Sequence, residues 1–192
     1  RSASLTAPNG QAQQGVLTAS IADAAMQASE MASLEAHGTG TALGDPIEAG
    51  AVAAVLCSEA SSGCGGQPVA MSSLKANAGH TEPGAGLAGA LKLAVQLGGG
   101  RMAPNAQLRV LNPHVGGALG GGSACALPAC VGLVLAAEGR LEGGVSSFGY
   151  AGTIAHAVLR TSHALGMAEP SGITVEYWRR AFLWRDSPHP LA

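Results

Sequence analysis

Two stretches of this sequence follow the same order of features: a short apolar run, a turn that contains glycine and histidine, and an apolar helix. The two copies occupy residues 31–59 and 69–97, with His37 and His80 in their turns. Consecutive strand–helix–strand units favour a parallel sheet with right-handed crossovers. The sequence therefore indicates an α/β fold in which both histidines lie at one edge of the sheet, where such folds usually bind ligands.

The first copy places its histidine directly after a predicted strand. Residues 31–36 predict this strand, and residues 46–59 predict the helix that follows the turn. Asp45 precedes the helix as a candidate N-cap, and Glu48 lies three residues later, as in a capping box. A capped turn and a functional site both remain open at this point, because the same residues serve either.

The second copy continues into a helix that is rich in small residues. Residues 69–74 predict its strand and residues 83–97 predict its helix. Leu87, Leu91 and Val95 form an apolar stripe at helical spacing. Because the other positions carry so little side chain, we expect this helix to approach another backbone closely, as a central buried helix does.

The remaining segments give weaker signals. A helix is expected from residue 11 onward, residues 98–130 predict irregular covering segments, and residues 131–135 predict a short strand. Residues 143–160 predict two strands joined by a glycine-bearing turn. Residues 161–192 are polar with scattered aromatic side chains, which fits an appendage packed on the domain or, alternatively, a disordered linker.

The composition limits the classes of partner. The chain has 192 residues, enough for one ordinary domain, with 29 glycines, 11% charged residues and a formal net charge of −2. This charge gives no reason to expect nucleic acid or an anionic membrane as a partner. The low charge content predicts that one face is buried against more of its own domain or a partner. No signal peptide or membrane span is visible, which favours an intracellular, cytoplasmic protein.

The cysteines show neither the spacing of a zinc knuckle nor the strained turn of a nucleophile. They are Cys57, Cys64, Cys125 and Cys130. We interpret all of them as small apolar residues and predict no metal site. A metal hydrolase that uses His37, Asp45 and His80 is a competing hypothesis, which conflicts with the role of Asp45 as a helix cap.

Three ordered motifs resemble those of one known family. They are EAHGTGT and GDPIE within residues 35–48, SLKANAGHTE at residues 73–82, and SFGYAGT at residues 147–153. These motifs are similar to those of the β-ketoacyl synthase (ketosynthase) domains of type I modular polyketide synthases. The resemblance covers about residues 1–160 and leaves residues 161–192 as a linker or tail that follows the ketosynthase.

The resemblance implies a thiolase-like fold, of which this chain is the C-terminal half, with a layered α/β/α arrangement and a mixed sheet. The reaction of the family is a decarboxylative Claisen condensation. In it, the enolate of a malonyl group carried by a carrier protein attacks an acyl group held on a cysteine. That cysteine lies in the N-terminal half of the family's domain, so we expect this chain to be an acyltransferase fragment that is inactive alone.

The resemblance also assigns catalytic roles to three residues. His37 and His80 match the two catalytic histidines of the family, and Lys75 matches the lysine that supports the second histidine. Two imidazole donors aimed at one thioester oxygen would stabilise the negative charge that appears there when carbon dioxide leaves. A buried imidazole can stay neutral and still donate a hydrogen bond.

Four further residues are implied to line the path of the substrate. Thr39 and Thr41 match residues near the phosphopantetheine arm of the carrier, and Tyr150 stands where the family usually has a gating phenylalanine. Gly149 belongs to the same motif, and its lack of a side chain suits the narrow passage that a thin arm needs.

The resemblance implies an acyl carrier protein as partner, with the substrate on its phosphopantetheine and no cofactor bound by the domain itself. It also implies the missing N-terminal ketosynthase half as a partner, and a homodimer for the complete domain. An alternative of a different class is a non-catalytic ketosynthase-like module that serves as a docking or scaffold unit.

Overall fold

A computed structural model describes residues 7–57, 68–106, 108–120, 125–130, 133–135 and 141–161. The helices are α1 (Gly10–Asp23), α2 (Gly44–Val52), α3 (Lys75–Ala78), α4 (Ala85–Gly99) and α5 (Pro113–Ala118). The strands are β1 (Met31–Glu35), β2 (Val69–Ser72), β3 (Arg101–Met102), β4 (Cys125–Ala126), β5 (Leu133–Val134), β6 (Glu142–Phe148) and β7 (Ile154–Arg160). The predicted aromatic tail and Cys64 lie outside these residues.

Five of the strands form one mixed sheet in the order β4-β2-β1-β6-β7. Strand β1 pairs in parallel with β2 and β6, β2 pairs in parallel with β4, and β6 and β7 form an antiparallel hairpin. The parallel pairing of the two predicted strands and the hairpin near the end of the described chain are therefore confirmed. Strands β3 and β5 make a separate antiparallel pair.

The sheet has an apolar cluster on each face, which gives the α/β/α layering that was expected. On β2, Val69 and Met71 belong to the cluster that includes Leu17 of α1 and Val52 of α2. Ala70, between them, belongs to the cluster that includes Leu93 of α4. Because successive side chains of a strand point to opposite faces, α1 and α2 cover one face of the sheet and α4 covers the other.

The predicted cap of α2 is wrong. The helix begins at Gly44, before Asp45, and the hydroxyl of Thr41 accepts a hydrogen bond from the Gly44 N–H over 3.0 Å. Asp45 reaches back to accept from the Gly40 N–H at 3.1 Å, and Glu48 also accepts from the turn instead of closing a capping box. The helix continues as a π-helical turn, Ala53–Cys57. The pattern identified a helix start but not which N–H groups its carboxylates would meet.

The expected packing of α4 is also reversed. Leu87, Leu91 and Val95 are 69%, 60% and 76% exposed, whereas the side that packs on the sheet carries Gly89 and Leu93. A Cβ atom built on Gly89 would lie 3.2 Å from Glu35 Cγ, a tight contact that would displace the helix or the Glu35 side chain by a few tenths of an ångström. The helix is apolar on both sides, and the side with the smaller residues packs on this sheet.

Residues 98–130, predicted to be irregular, contain two short strands and a short helix. Strand β3 pairs with β5, and α5 begins after Asn112, whose side chain accepts from the His114 N–H at 2.9 Å. The short strand predicted within residues 131–135 is present as the two residues of β5. Elements this short leave no period for a sequence pattern to detect.

The cysteines are not all isolated apolar residues. Cys57, at the end of the π-helical turn, and Cys125, on the edge strand β4, place their Sγ atoms 3.1 Å apart. The interpretation of these two as plain packing residues is therefore incomplete. Across the described part of the chain, no helix combines the length and apolarity needed to cross a membrane.

Candidate active site

The two histidines of the repeated pattern meet at one edge of the sheet. His37 lies two residues after the end of β1, and His80 lies two residues after the end of α3, which itself follows β2. Their ring centroids are 6.2 Å apart, with the ring planes at 88°. The expectation that parallel neighbouring strands bring these two rings together is confirmed.

Both imidazoles have one ring nitrogen occupied by a backbone N–H group. The Phe148 N–H donates to Nδ1 of His37 at 3.2 Å, and the Glu82 N–H donates to Nδ1 of His80 at 2.8 Å. A nitrogen that accepts a hydrogen bond carries no proton, so each neutral ring has its proton on Nε2. The structure therefore provides two Nε2–H donors from two neighbouring turns.

The protonation state of His37 is set by its surroundings. Burial lowers its pKa from 6.5 to about 4, and the positive charges of Lys75 and His80 act in the same direction. The ring of Phe148 lies 5.2 Å from that of His37. At neutral pH, His37 is therefore a neutral hydrogen-bond donor.

Lys75 contacts the turn of the first histidine. Its Nζ donates a hydrogen bond to the backbone carbonyl of His37. Burial lowers the pKa of Lys75, and the carboxylates of Glu48, Glu35 and Asp45 oppose this shift. The implied support of His80 by this lysine stays a prediction, because its observed hydrogen bond goes to His37.

Glu48 is a site residue that the sequence analysis missed. Its buried carboxylate accepts from the N–H groups of His37 and Gly38 at 2.7 and 2.9 Å. Burial raises the pKa of Glu48 to about 7, although both backbone hydrogen bonds act to lower it. Its spacing after Asp45 suggested a capping box, and nothing in the pattern distinguishes that role from the one observed.

Gly38 gives the turn its shape. Its φ is +45°, and a Cβ atom there would lie 2.7 Å from Cβ of Ser73. A side chain at this position would therefore both strain the backbone and push the two turns apart. This close approach brings the β1 turn against the residues that lead into Lys75.

The predicted substrate-path residues line one pocket together with the two histidines. The pocket has a volume of about 580 Å³, and its walls include Thr39, Thr41, Gly149 and Tyr150. Tyr150 is 84% exposed at its rim. Lys75, by contrast, lines a second pocket of about 520 Å³ with Asp45, and His80, Thr39 and Glu48 border both pockets.

In the pocket of the histidines, the described residues supply neither a cluster that could hold a metal nor a cysteine. They contain no group of three or more histidine, cysteine, aspartate or glutamate side chains that could hold a metal ion. His37, Asp45 and His80 do not form such a group in the part of the chain that the structure describes. None of Cys57, Cys125 and Cys130 lines the pocket.

Comparisons with known proteins agree on one family. Residues 1–109 match the family described as Beta-ketoacyl synthase, C-terminal domain. The spectinabilin polyketide synthase system protein NorA' of Streptomyces orinoci is 43% identical over 161 residues, which are 81% of this chain and 4% of that protein. The mycoketide-CoA synthase of Mycobacterium tuberculosis is 40% identical over 156 residues, which are 81% of this chain and 4% of that protein. The chain thus spans less than a tenth of these relatives.

Solved ketosynthases share the fold. The oxazolomycin ketosynthase domain OzmH KS7 of Streptomyces albus JA3453 superposes with a TM-score of 0.76 at 26% identity, covering 85% of this chain and 28% of that one. The ketosynthase from module 6 of the bacillaene synthase of Bacillus subtilis 168 gives a TM-score of 0.72 at 27% identity, covering 85% and 30%. The thiolase-like α/β fold with a mixed sheet is confirmed.

Proposed function

Because this chain belongs to the β-ketoacyl synthase family, through its C-terminal domain, we propose that it supplies the enolate-stabilising half of a polyketide-forming ketosynthase. In the proposed reaction, a malonyl thioester on a carrier protein loses carbon dioxide and leaves an enolate. The enolate carbon attacks the carbonyl of an acyl thioester on cysteine, the thiolate leaves, and a β-ketoacyl thioester forms on the carrier.

One observation carries this proposal: two imidazoles lie together, each with Nδ1 occupied by a backbone N–H and Nε2 left as the donor. His37 and His80 accept backbone N–H groups at Nδ1, which leaves both Nε2–H groups as donors beside one pocket. Decarboxylation puts negative charge on the thioester oxygen, and fixed donors aimed at that oxygen lower the barrier without reorganising. We assign His37 and His80 as the donors and Lys75 as the residue that holds the His37 turn.

The pocket suits a substrate delivered on a thin flexible arm. Thr39 and Thr41 line it from the turn after β1, and Gly149 and Tyr150 line it from the turn between β6 and β7. We propose that these residues line the path of the phosphopantetheine arm of an acyl carrier protein. The hydroxyls of Thr39 and Thr41 lie 3.4 Å apart, and that of Thr41 also accepts the Gly44 N–H, which fixes its position on the wall. The domain itself needs no bound cofactor in this scheme.

The preceding half of the domain is proposed to cover the site and bring the nucleophile. His80 is exposed, and the exposed apolar stripe of α4 begins seven residues after it. The chain covers 28% and 30% of the two solved ketosynthases described above. We infer that a cysteine-bearing half packs on this stripe, excludes water from the imidazoles, and supplies the thiolate that no described residue places in the pocket. In this proposal the complete domain is a cytoplasmic homodimer, and this chain alone is inactive.

The test joins this chain to a cysteine-bearing ketosynthase N-terminal half. In the joined protein, His80→Ala should lower condensation by about 10²- to 10³-fold, the loss expected for one oxyanion donor. Acylation of the cysteine should stay largely intact, because His80 acts on the malonyl thioester. His114→Ala is the matched control, since it removes an exposed imidazole that lies on α5 and outside both pockets. Normal product formation by His80→Ala would refute the role of His80.

A non-catalytic docking module is the second candidate, and the exposed stripe of α4 is the observation that favours it. Leu87, Leu91 and Val95 offer an apolar face to any partner, with or without chemistry. The same joined protein separates the two functions. Binding of the N-terminal half without malonyl decarboxylation would support docking and exclude the condensing role.

A further inference from the structure

A buried ion pair lies behind the pocket without lining it. Lys92 Nζ on α4 is 2.6 Å from Glu35 Oε2 on β1, and the two side chains are 9% and 3% exposed. Neither residue belongs to the walls of the two pockets. Removing two charges from water costs several kcal/mol per ion, so a buried ion pair is weak evidence for a gain in stability. Its alternative role is to position neighbouring groups.

The carboxylate of Glu35 joins the two histidine-bearing turns. Glu35 is two residues before His37, and its Oε1 accepts the backbone N–H of Leu74, the residue before Lys75. Its Oε2 accepts from Lys92 and, at 3.3 Å, from the hydroxyl of Ser72 on β2. One side chain therefore contacts the end of the neighbouring strand and the start of the turn that leads to His80.

Lys92 fixes the orientation of that carboxylate. Its ammonium donates to Glu35 and also to the Ser72 hydroxyl at 2.8 Å, so the three groups close a ring. Gly89, one helical turn earlier on α4, leaves the space that Glu35 occupies, because a Cβ there would lie 3.2 Å from Glu35 Cγ. Without the ammonium, a buried carboxylate would have to turn towards water or take up a proton, and either change loosens its hold on Leu74.

We propose that Glu35 and Lys92 are a pair of positioning residues that set the placement of Lys75 and His80 relative to His37. The pair acts through Leu74, which fixes where α3 begins. Lys75 opens α3 and donates to the His37 carbonyl, and His80 follows after Gly79, at the end of the same short helix. The catalytic consequence rests on the proposed condensing function, whereas the structural role does not.

The first test follows this chain by NMR, with amide hydrogen exchange and histidine titration as readouts. In Lys92→Met, the Leu74 amide should exchange at least about tenfold faster, while amides of the β6–β7 ladder change little. The His37 pKa should rise above about 4 by the smaller, electrostatic part of its shift, because Lys75 and His80 move away from the ring while its burial remains. Lys92→Arg, which keeps the charge, should restore both signals.

Two further variants separate positioning from stability. Arg160→Met removes the cation of the Arg160–Glu142 pair on the hairpin, 2.8 Å long, and should leave the Leu74 amide and the His37 titration unchanged. Glu35→Leu/Lys92→Met replaces the buried pair by apolar groups, which usually preserves the fold. This double variant should fold and still show the displaced signals. A wild-type Leu74 amide and His37 titration in the folded double variant would overturn the proposal.

Activity in the joined protein gives an independent readout. If the condensing function holds, Lys92→Met should lower kcat for malonyl decarboxylation by about a hundredfold with little change in KM. The reason is that a shift of a catalytic group by about 1 Å, here His80, costs about this much in rate. An unchanged kcat would count against the proposal. A wild-type joined protein without decarboxylation would refute the proposed function, and the NMR results would still decide the positioning role.

Discussion

The imidazole of His156 makes the stability of this chain depend on pH in a defined direction. The ring lies on β7 against β6, with Nδ1 3.0 Å from Ser146 Oγ and Nε2 only 2.5 Å from where a Cβ on Gly144 would stand. Among the described residues, its buried Nε2 has no hydrogen-bond partner. Burial lowers the pKa of His156 from 6.5 to about 4, because a charged ring would lose its hydration there.

The magnitude follows from this shift. The unfolded chain takes up a proton at His156 near pH 6.5, whereas the folded chain takes none until about pH 4. The contribution of the neutral ring to stability is therefore complete above pH 6.5 and is lost as the pH falls towards 4. The full shift corresponds to about 3 kcal/mol, of which about 2 kcal/mol is lost between pH 7.5 and pH 5.

The assay is urea unfolding of the wild type and of His156→Gln at pH 7.5 and pH 5. The difference in free energy of unfolding between the two proteins should shrink by about 2 kcal/mol at the lower pH. Titration of His37 and Glu48 occurs in both proteins and cancels. Ser146→Ala is the control, and it should keep the pH dependence because burial, not the hydroxyl, lowers the pKa. A difference that does not change with pH would refute this reasoning.

Three other perturbations test separate features. Glu48→Ala leaves the His37 and Gly38 N–H groups without their acceptor, so urea unfolding should show a loss of at least about 2 kcal/mol in the free energy of unfolding. A loss below about 0.5 kcal/mol would contradict the view that Glu48 holds the His37 turn. Leu91→Ser should change the free energy of unfolding of this chain by less than about 0.5 kcal/mol, because Leu91 is exposed. It should weaken the association of this chain with the N-terminal half, measured by calorimetry. An affinity equal to that of the wild type would show that the stripe is not the interface. Hydrogen peroxide should oxidise Cys57 and Cys125 to a disulfide and itself be reduced to water, because their Sγ atoms are 3.1 Å apart. The measurement is peptide mapping without reductant. Finding only separate thiols would contradict the observed proximity of the two residues.

The fold and the convergence of the two histidines could be predicted from the sequence because both follow from local patterns. The strands before His37 and His80 are short apolar runs, and the helix between them requires a parallel pairing. Parallel neighbours end at the same edge, so the residues that follow them come close without any knowledge of side-chain packing. The 6.2 Å separation of the rings is the outcome of that topology.

The details that failed depend on contacts between distant segments. Whether Glu48 closes a cap or holds the His37 turn is decided by the path of β1, and the two roles share one sequence pattern. Which side of α4 packs on the sheet depends on contacts with other segments, such as the close approach of Glu35 to Gly89. The apolar spacing of Leu87 and its neighbours signals a buried face but does not say which surface buries it.

The backbone of His37 is held at both of its polar ends by side chains, a carboxyl group at its N–H and an ammonium at its carbonyl. Its N–H donates to the carboxylate of Glu48 on α2, and its carbonyl accepts from the ammonium of Lys75 on α3. The peptide units on either side of the imidazole are thus oriented by two separate helices before any ligand arrives. The imidazole of His37 therefore has a fixed orientation before a molecule enters the pocket. Little of the binding energy of that molecule is lost to ordering the turn that carries His37.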